Sequence, residues 1–390
     1  MTRTARSRAL TATGAAMSAT LATVVLVGFA QPASAANAPR NSNGPQVRVI
    51  GGSNANRSNT SWFLQFTPSF RGDRMLCGAT ALSRRWAVTA AHCVKSGRDG
   101  IAQTGRGGSY LQINPSKINS GNGYLLSRIV VHPGYKPNSR NQRNDVALLR
   151  TRSPMPAGRL GINTSKSSPK KGAAAQVFGF GERISGDQDS IARYLQVGNI
   201  QDLTGPTGKK CGSYGGTAFN RAYQLCGGLP HGGVDACQGD SGGPLTSRVA
   251  GRTRLVGIVS TGTGCGLARY PGIYTRVSTY ASWINRIVFP PHFTITGKCT
   301  SRVCKVCKSG RSTFKVNNVS GSRGTWRLKS QDSKLRISQR RGALKAHRST
   351  NVSFSTNSRA KKCVKVQFQA SHTPNRNLVV ALNHKRGCRP

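Results

Sequence analysis

Three short stretches hold residue types that together can make a nucleophile: Thr89-Ala-Ala-His92-Cys93, Asp145-Val-Ala-Leu-Leu149 and Asp235-Ala-Cys-Gln-Gly-Asp-Ser241-Gly-Gly-Pro244. A neutral hydroxyl attacks poorly unless a base takes its proton during the attack, and an imidazole titrating near neutrality suits that task. A carboxylate beside the imidazole can hold its tautomer and stabilise its cation without taking up the proton. Singly, a serine in a glycine-rich turn or one histidine of seven is ordinarily structural. His132, in Val131-His-Pro-Gly-Tyr135, is read that way, as a loop residue. The weight lies in the set.

Such residues need a rigid frame. Between about 49 and 280 the chain consists of short β-type runs, such as Trp86–Thr89 and Leu255–Val259, separated by Gly, Asn, Ser and Pro clusters. That pattern predicts an all-β sandwich or barrel. Tyr280, Trp283, Ile284 and Ile287 recur at helical spacing and predict one terminal helix, stopped by Pro290-Pro291 because proline cannot continue it.

The three motifs, in the order His, Asp, Ser, are similar to those of the trypsin family of chymotrypsin-fold serine proteases. The resemblance covers roughly residues 49–289 and extends to secreted bacterial trypsins of the actinobacterial type, here with a basic C-terminal extension. It implies two antiparallel six-stranded β-barrels with a C-terminal helix, and Arg/Lys-directed endopeptidase activity through an acyl-enzyme. Ser241 would be the nucleophile, His92 the general base and Asp145 its orienting partner, with the Gly239 and Ser241 amides as the oxyanion hole. Asp235, six residues before Ser241, would sit at the base of the specificity pocket, where a carboxylate can pair with a guanidinium. Gly262 and Gly272 would line that pocket, and Ser260 would bond the triad aspartate. Thr261 departs from the family, which usually carries a large aromatic there.

The same resemblance makes the chain a zymogen cut between Arg48 and Val49, the new amine of Val49 pairing with Asp240. It implies the disulfides Cys77–Cys93, Cys211–Cys226 and Cys237–Cys265. No carboxylate pair stands between His92 and Asp145 to hold a hard cation, so no calcium site, and no cofactor, is expected.

The N-terminus reads as an export signal over 1–35: Arg3, Arg6 and Arg8, an apolar run Leu21–Ala30, then Ala33-Ser34-Ala35. Residues 36–48 form a polar leader, the activation propeptide, and 290–296 a linker. Eleven cysteines suit an oxidising, extracellular setting, and no later run is long enough for a transmembrane segment. A monomer is expected.

The 390 residues carry 58 Lys and Arg against ten acids, a formal charge of +48, with Glu182 the only glutamate. From 297 to 390 Asp332 is the only acid. Alternation in Trp326–Lys329, Leu335–Ile337, Leu344–Ala346 and Val364–Phe368 predicts a small β-rich domain with Arg327, Lys329, Arg336, Lys345 and Lys365 opposite an apolar face. Two readings stay open for it: docking on an anionic polysaccharide or cell-surface polymer, and a soluble extension later trimmed. Nucleic acid is disfavoured because few aromatics are present for stacking: Trp326, Phe314, Phe354 and Phe368. Cys299, Cys304, Cys307, Cys363 and Cys388 leave two disulfides plus a free thiol, or a zinc site at Cys304-x-x-Cys307, as alternatives. For the whole chain the rival reading is a catalytically weak binding protein on a protease scaffold, targeting anionic surfaces.

Overall fold

The computed structural model describes residues 49–382, apart from 72, 98–99, 121, 138–141, 205–210, 212, 215–216, 298, 301–302, 307–310, 331–332, 334, 357–362 and 372. The export signal, the leader with Arg48, and Cys307 and Cys388 lie outside the described residues.

Six strands close the first barrel: β1 (Phe63–Thr67), β2 (Cys77–Ala81), β3 (Trp86–Thr89), β4 (Tyr110–Ile113), β5 (Gly123–Val131) and β6 (Ala147–Thr151). Their order is β5-β6-β3-β2-β1-β4, with β4 returning to β5. Leu64, Phe66, Leu111, Leu126 and Leu148 fill it and are wholly buried. The second barrel has β7 (Ala174–Gly179), β8 (Gln196–Asp202), β9 (Gln224–Gly228), β10 (Pro244–Val249), β11 (Arg252–Thr261) and β12 (Gly272–Arg276). It runs β8-β7-β10-β11-β12-β9 and is closed by pairing of β9 with β8. Val177, Ile200, Leu225, Leu245, Val256 and Tyr274 make its core. Closure removes the unpaired edges that an open sheet would expose. The two six-stranded antiparallel barrels implied by the motifs are thus present.

Helix α1 (Val277–Val288) follows β12 directly. It buries Val277, Tyr280, Ile284 and Val288, while Trp283 and Ile287 pack half-buried on the first barrel's core. His132 packs edge-on against the rings of Tyr280 and Trp283 at 5.1 Å, a structural role in a loop.

The segment read as a linker is shorter than expected. Phe293–Gly297 is already a strand, β13, because Phe293 and Ile295 alternate inward with Thr294 and Thr296 outward. It belongs to a sheet ordered β13-β16-β20-β18, with β16 (Arg311–Asn318), β18 (Leu335–Ile337) and β20 (Ser349–Thr356). The second sheet is β14-β15-β22-β21-β17-β19, comprising β14 (Cys299–Thr300), β15 (Val303–Val306), β17 (Gly324–Ser330), β19 (Arg341–Leu344), β21 (Cys363–Ala370) and β22 (Thr373–Leu382). A third core lies between the sheets: Phe293, Phe314, Trp326, Leu328, Phe354 and Phe368. The Ser322 hydroxyl donates to the Phe289 carbonyl at 2.7 Å, and the Val319 N–H to that of His292 at 2.9 Å. These bonds tie the C-terminal sheets to the end of α1.

Candidate active site

The chemistry-bearing residues sit where strands end. His92 follows the end of β3 by three residues, Asp145 precedes β6 by two, Ser241 precedes β10 by three, and Ser260 lies in the last turn of pleat in β11. Strands fix these ends, and the connections leave side chains free to face a cleft. That cleft has a volume of about 860 Å³ and is lined by His92, Ser241, Gly239, Asp235, Ser260, Thr261, Gly262 and Gly272.

Asp145 is fully buried behind His92. One carboxylate oxygen, Oδ1, accepts the His92 backbone N–H at 2.9 Å. The other, Oδ2, meets His92 Nδ1 at 2.8 Å and accepts the Ser260 hydroxyl at 2.6 Å. Burial by itself would raise the Asp145 pKa, yet His92 and Ser260 outweigh it and hold the carboxyl below its usual range. For His92 burial disfavours the cation, but the Asp145 charge and hydrogen bond prevail and raise its pKa. With Nδ1 committed to Asp145, Nε2 is the nitrogen left to accept a proton.

The loop carrying Ser241 is locked against the first barrel. Gly78 N–H donates to the Ser241 carbonyl at 2.8 Å, and the Thr89 hydroxyl to the Gly78 carbonyl at 2.8 Å. A Cβ on Gly78 would meet Gly243 Cα at 2.6 Å, so only glycine lets the two chains approach this closely. Thr275 on β12 donates to the Asp145 carbonyl at 2.7 Å. Gly78, Thr89 and Thr275 therefore hold the site; Thr89 opens the His92 motif, whereas nothing in the sequence assigned a role to Gly78 or Thr275.

Glu182 also escaped functional assignment, although being the sole glutamate of so basic a chain was a usable signal. It is buried at the cleft wall, and its Oε2 accepts the Gly186 N–H at 2.9 Å. Its own N–H donates to the Gln238 carbonyl at 2.8 Å. That bond fixes the peptide preceding Gly239, whose φ of +92° favours glycine.

At the cleft floor Asp235 is 2 % exposed. Its oxygens accept the Ala236 N–H at 2.8 Å and the Gly266 N–H at 3.2 Å. Burial pushes its pKa up to about 7 against these hydrogen bonds. A Cβ on Gly272 would lie 2.5 Å from Asp235 Oδ1, whereas one on Gly262 would meet only Gly264 O, at 3.5 Å. Thus Gly272 is required by the carboxylate, whereas a Cβ at Gly262 would be nearly unhindered. Disulfides Cys77–Cys93 and Cys237–Cys265 flank His92 and Asp235, and Cys211–Cys226 lies in the second barrel.

Val49 is wholly buried in the core of the second barrel. The Asp235 N–H donates to the Ile50 carbonyl at 3.2 Å, so the segment after Arg48 abuts the cleft floor. Asp240 accepts the Gly181 N–H at 2.7 Å and the Cys237 N–H at 2.9 Å, and burial raises its pKa to about 6.

Residues 49–284 match the trypsin family model over this same fold. The chain belongs to the trypsin family. Its protease domain is 33% identical over 257 residues to the venom peptide isomerase heavy chain of Agelenopsis aperta, covering 61% of this chain and 99% of that protein. It is 35% identical over 246 residues to trypsin beta of Drosophila erecta, covering 62% and 89%. Transmembrane protease serine 7 of Mus musculus is 35% identical over 251 residues, covering 62% of this chain and 28% of the mouse protein. These matches involve the trypsin-like serine protease domain. Among the described residues no helix is long and apolar enough to cross a membrane.

Proposed function

We propose that this trypsin-family chain is an exported endopeptidase, made as a precursor, that hydrolyses peptide bonds after Arg or Lys. One observation carries the specificity: a buried carboxylate, Asp235, at the floor of the cleft that also holds His92 and Ser241. A substrate guanidinium or ammonium would supply a countercharge to this carboxylate, which has no ion-pair partner among the described residues.

In the proposed reaction Ser241 Oγ attacks the scissile carbonyl carbon while its proton passes to His92 Nε2. The carbonyl oxygen takes the electron pair and lies against the Gly239 and Ser241 amides. Collapse expels the amine, which takes the proton from His92, and leaves an ester on Ser241. Water then repeats the attack, with His92 again accepting a proton and returning it to Ser241. Asp145 stays ionised throughout, favoured by three donors.

Precursor control is supported by Val49. It holds a φ of +35°, a region that costs a β-branched residue roughly 1–3 kcal/mol. Cleavage after Arg48 frees that torsion and creates an α-amine on Val49, which the proposal pairs with Asp240. The three disulfides suit export to an oxidising compartment. The C-terminal domain is proposed to hold the enzyme on anionic polymers.

Peptide-library profiling of the processed protein, with Ser241→Ala and Asp235→Ser controls, tests the reading. Cleavage after Arg and Lys, abolished by the first change and redirected by the second, is expected. Unchanged preference in Asp235→Ser would refute the specificity, and unchanged turnover in Ser241→Ala the mechanism.

A further inference from the structure

The two C-terminal sheets share one core but present unlike outer faces. On the first sheet the outward side chains, among those described, are chiefly neutral: Thr313, Asn317, Asn351 and Ser353 surround Lys315, with Arg336 at the β18 edge. On the second sheet Arg327 and Lys329 of β17, Arg341 of β19 and Lys365 of β21 all point outward and are exposed. Register places Arg327 directly opposite Arg341, and Lys329 opposite Gln367. Like charges facing across a strand pair destabilise a sheet. A surface serving only solubility would mix signs, and charge spread by composition alone would fall on both sheets.

These side chains border a groove of about 800 Å³, lined by Arg327, Lys329, Arg340, Arg341, Lys365 and Gln367 with the backbone between them. Its floor is the sheet itself. Along β17 the basic groups repeat roughly every 6.6 Å, and across strands about every 4.8 Å, as strand geometry requires. The nearest aromatic residues, Trp326 and Phe368, face the other way into the core and are 2 % and 1 % exposed. Stacking platforms for bases are therefore missing from the described part of this face. Gln367 and Gln369, bonded to one another at 2.8 Å, add amide groups able to meet hydroxyls.

We propose that this groove is the binding site for a linear anionic polysaccharide, its sulfate or carboxylate groups taken by Arg327, Arg341, Lys329 and Lys365. The site rests on the docking role given above to the C-terminal domain and locates it on one face of one sheet. Guanidinium forks suit such planar or tetrahedral anions, and the amides suit the sugar between them.

The test uses full-length Ser241→Ala protein, which cannot digest itself in the proposed mechanism, and a heparin dodecasaccharide in physiological salt. One variant replaces Arg327, Lys329, Arg341 and Lys365 with Gln. A control replaces Lys315, Arg323, Arg336 and Arg348, which are likewise exposed and carry the same total charge. Melting curves verify that both fold. The expected result is a Kd raised roughly 30-fold in the groove variant and less than about threefold in the control. Equal weakening would overturn the groove while leaving docking by overall charge intact. No binding by the parent would remove the docking role itself. Displacement of the oligosaccharide by single-stranded DNA at lower concentration would overturn the polysaccharide assignment.

Discussion

The Ser260 hydroxyl donates at 2.6 Å to Asp145 Oδ2, the same oxygen that meets His92 Nδ1 at 2.8 Å. Ser260 comes from the second barrel and the other two from the first, so one carboxylate oxygen links the halves of the molecule. Removing this donor concentrates charge toward the imidazole. For Ser260→Ala, kcat should fall about tenfold, with a stability loss of about 1–3 kcal/mol from the less satisfied buried carboxylate. The acidic limb of the kcat profile should move to higher pH, because imidazolium is then better stabilised. A limb that moves down or stays would contradict this account.

Gly272 and Gly262 should respond differently to the same change. In Gly272→Ala the new Cβ falls 2.5 Å from Asp235 Oδ1 and must displace the carboxylate. Gly262→Ala adds a methyl that would touch only Gly264 O, at an ordinary 3.5 Å, and would otherwise stand in the way of an arriving side chain. Hence Gly272→Ala should melt several degrees lower than the parent without any substrate, whereas Gly262→Ala should melt normally and lose kcat/KM for Arg esters about tenfold or more. Differential scanning fluorimetry alongside ester kinetics separates the two, and identical melting losses would count against the distinction.

Affinity for basic substrates should weaken as pH falls through neutrality. Burial pushes the Asp235 carboxyl up to about 7. Below that pH the carboxyl is neutral, and binding a cation must first expel its proton. Benzamidine Ki measured between pH 5.5 and 8.5 should rise about tenfold per pH unit below the break. A Ki flat down to pH 5 would show that the carboxylate is ionised throughout.

Cleavage after Arg48 should stabilise the protein in a pH-dependent manner. In the uncut chain Asp240 titrates at about 6 rather than the ordinary 3.8, so the folded state binds more protons than the unfolded chain in that interval. Stability therefore declines as pH rises through it. Once an α-amine pairs with Asp240, its pKa falls and that penalty disappears. The Tm of cut Ser241→Ala minus that of uncut Ser241→Ala should grow from pH 5 to pH 7.5, then shrink as the amine deprotonates. A difference independent of pH would rule the pairing out, and Asp240→Asn should flatten it.

Residue types and their order are legible along the chain without its fold. Proton abstraction from a hydroxyl needs an imidazole, and the His92, Asp145 and Ser241 motifs are local strings, legible without a fold. Alternation likewise determined that Arg327, Lys329 and Lys365 lie opposite an apolar face, since successive side chains of a strand point to opposite sides. Tertiary structure alone decided which strands became neighbours. Arg336 alternates just as Arg327 does, yet it lies in the other sheet beside Ser355, while Arg327 meets Arg341. Likewise Gly78, Thr275 and Glu182 acquired their positions through partners between 56 and 163 residues away, such as Ser241 at 2.8 Å from Gly78 and Asp145 at 2.7 Å from Thr275. Local spacing encodes the direction of a side chain. Pairing across the barrels depends on closure and packing of the whole chain, which no single stretch contains.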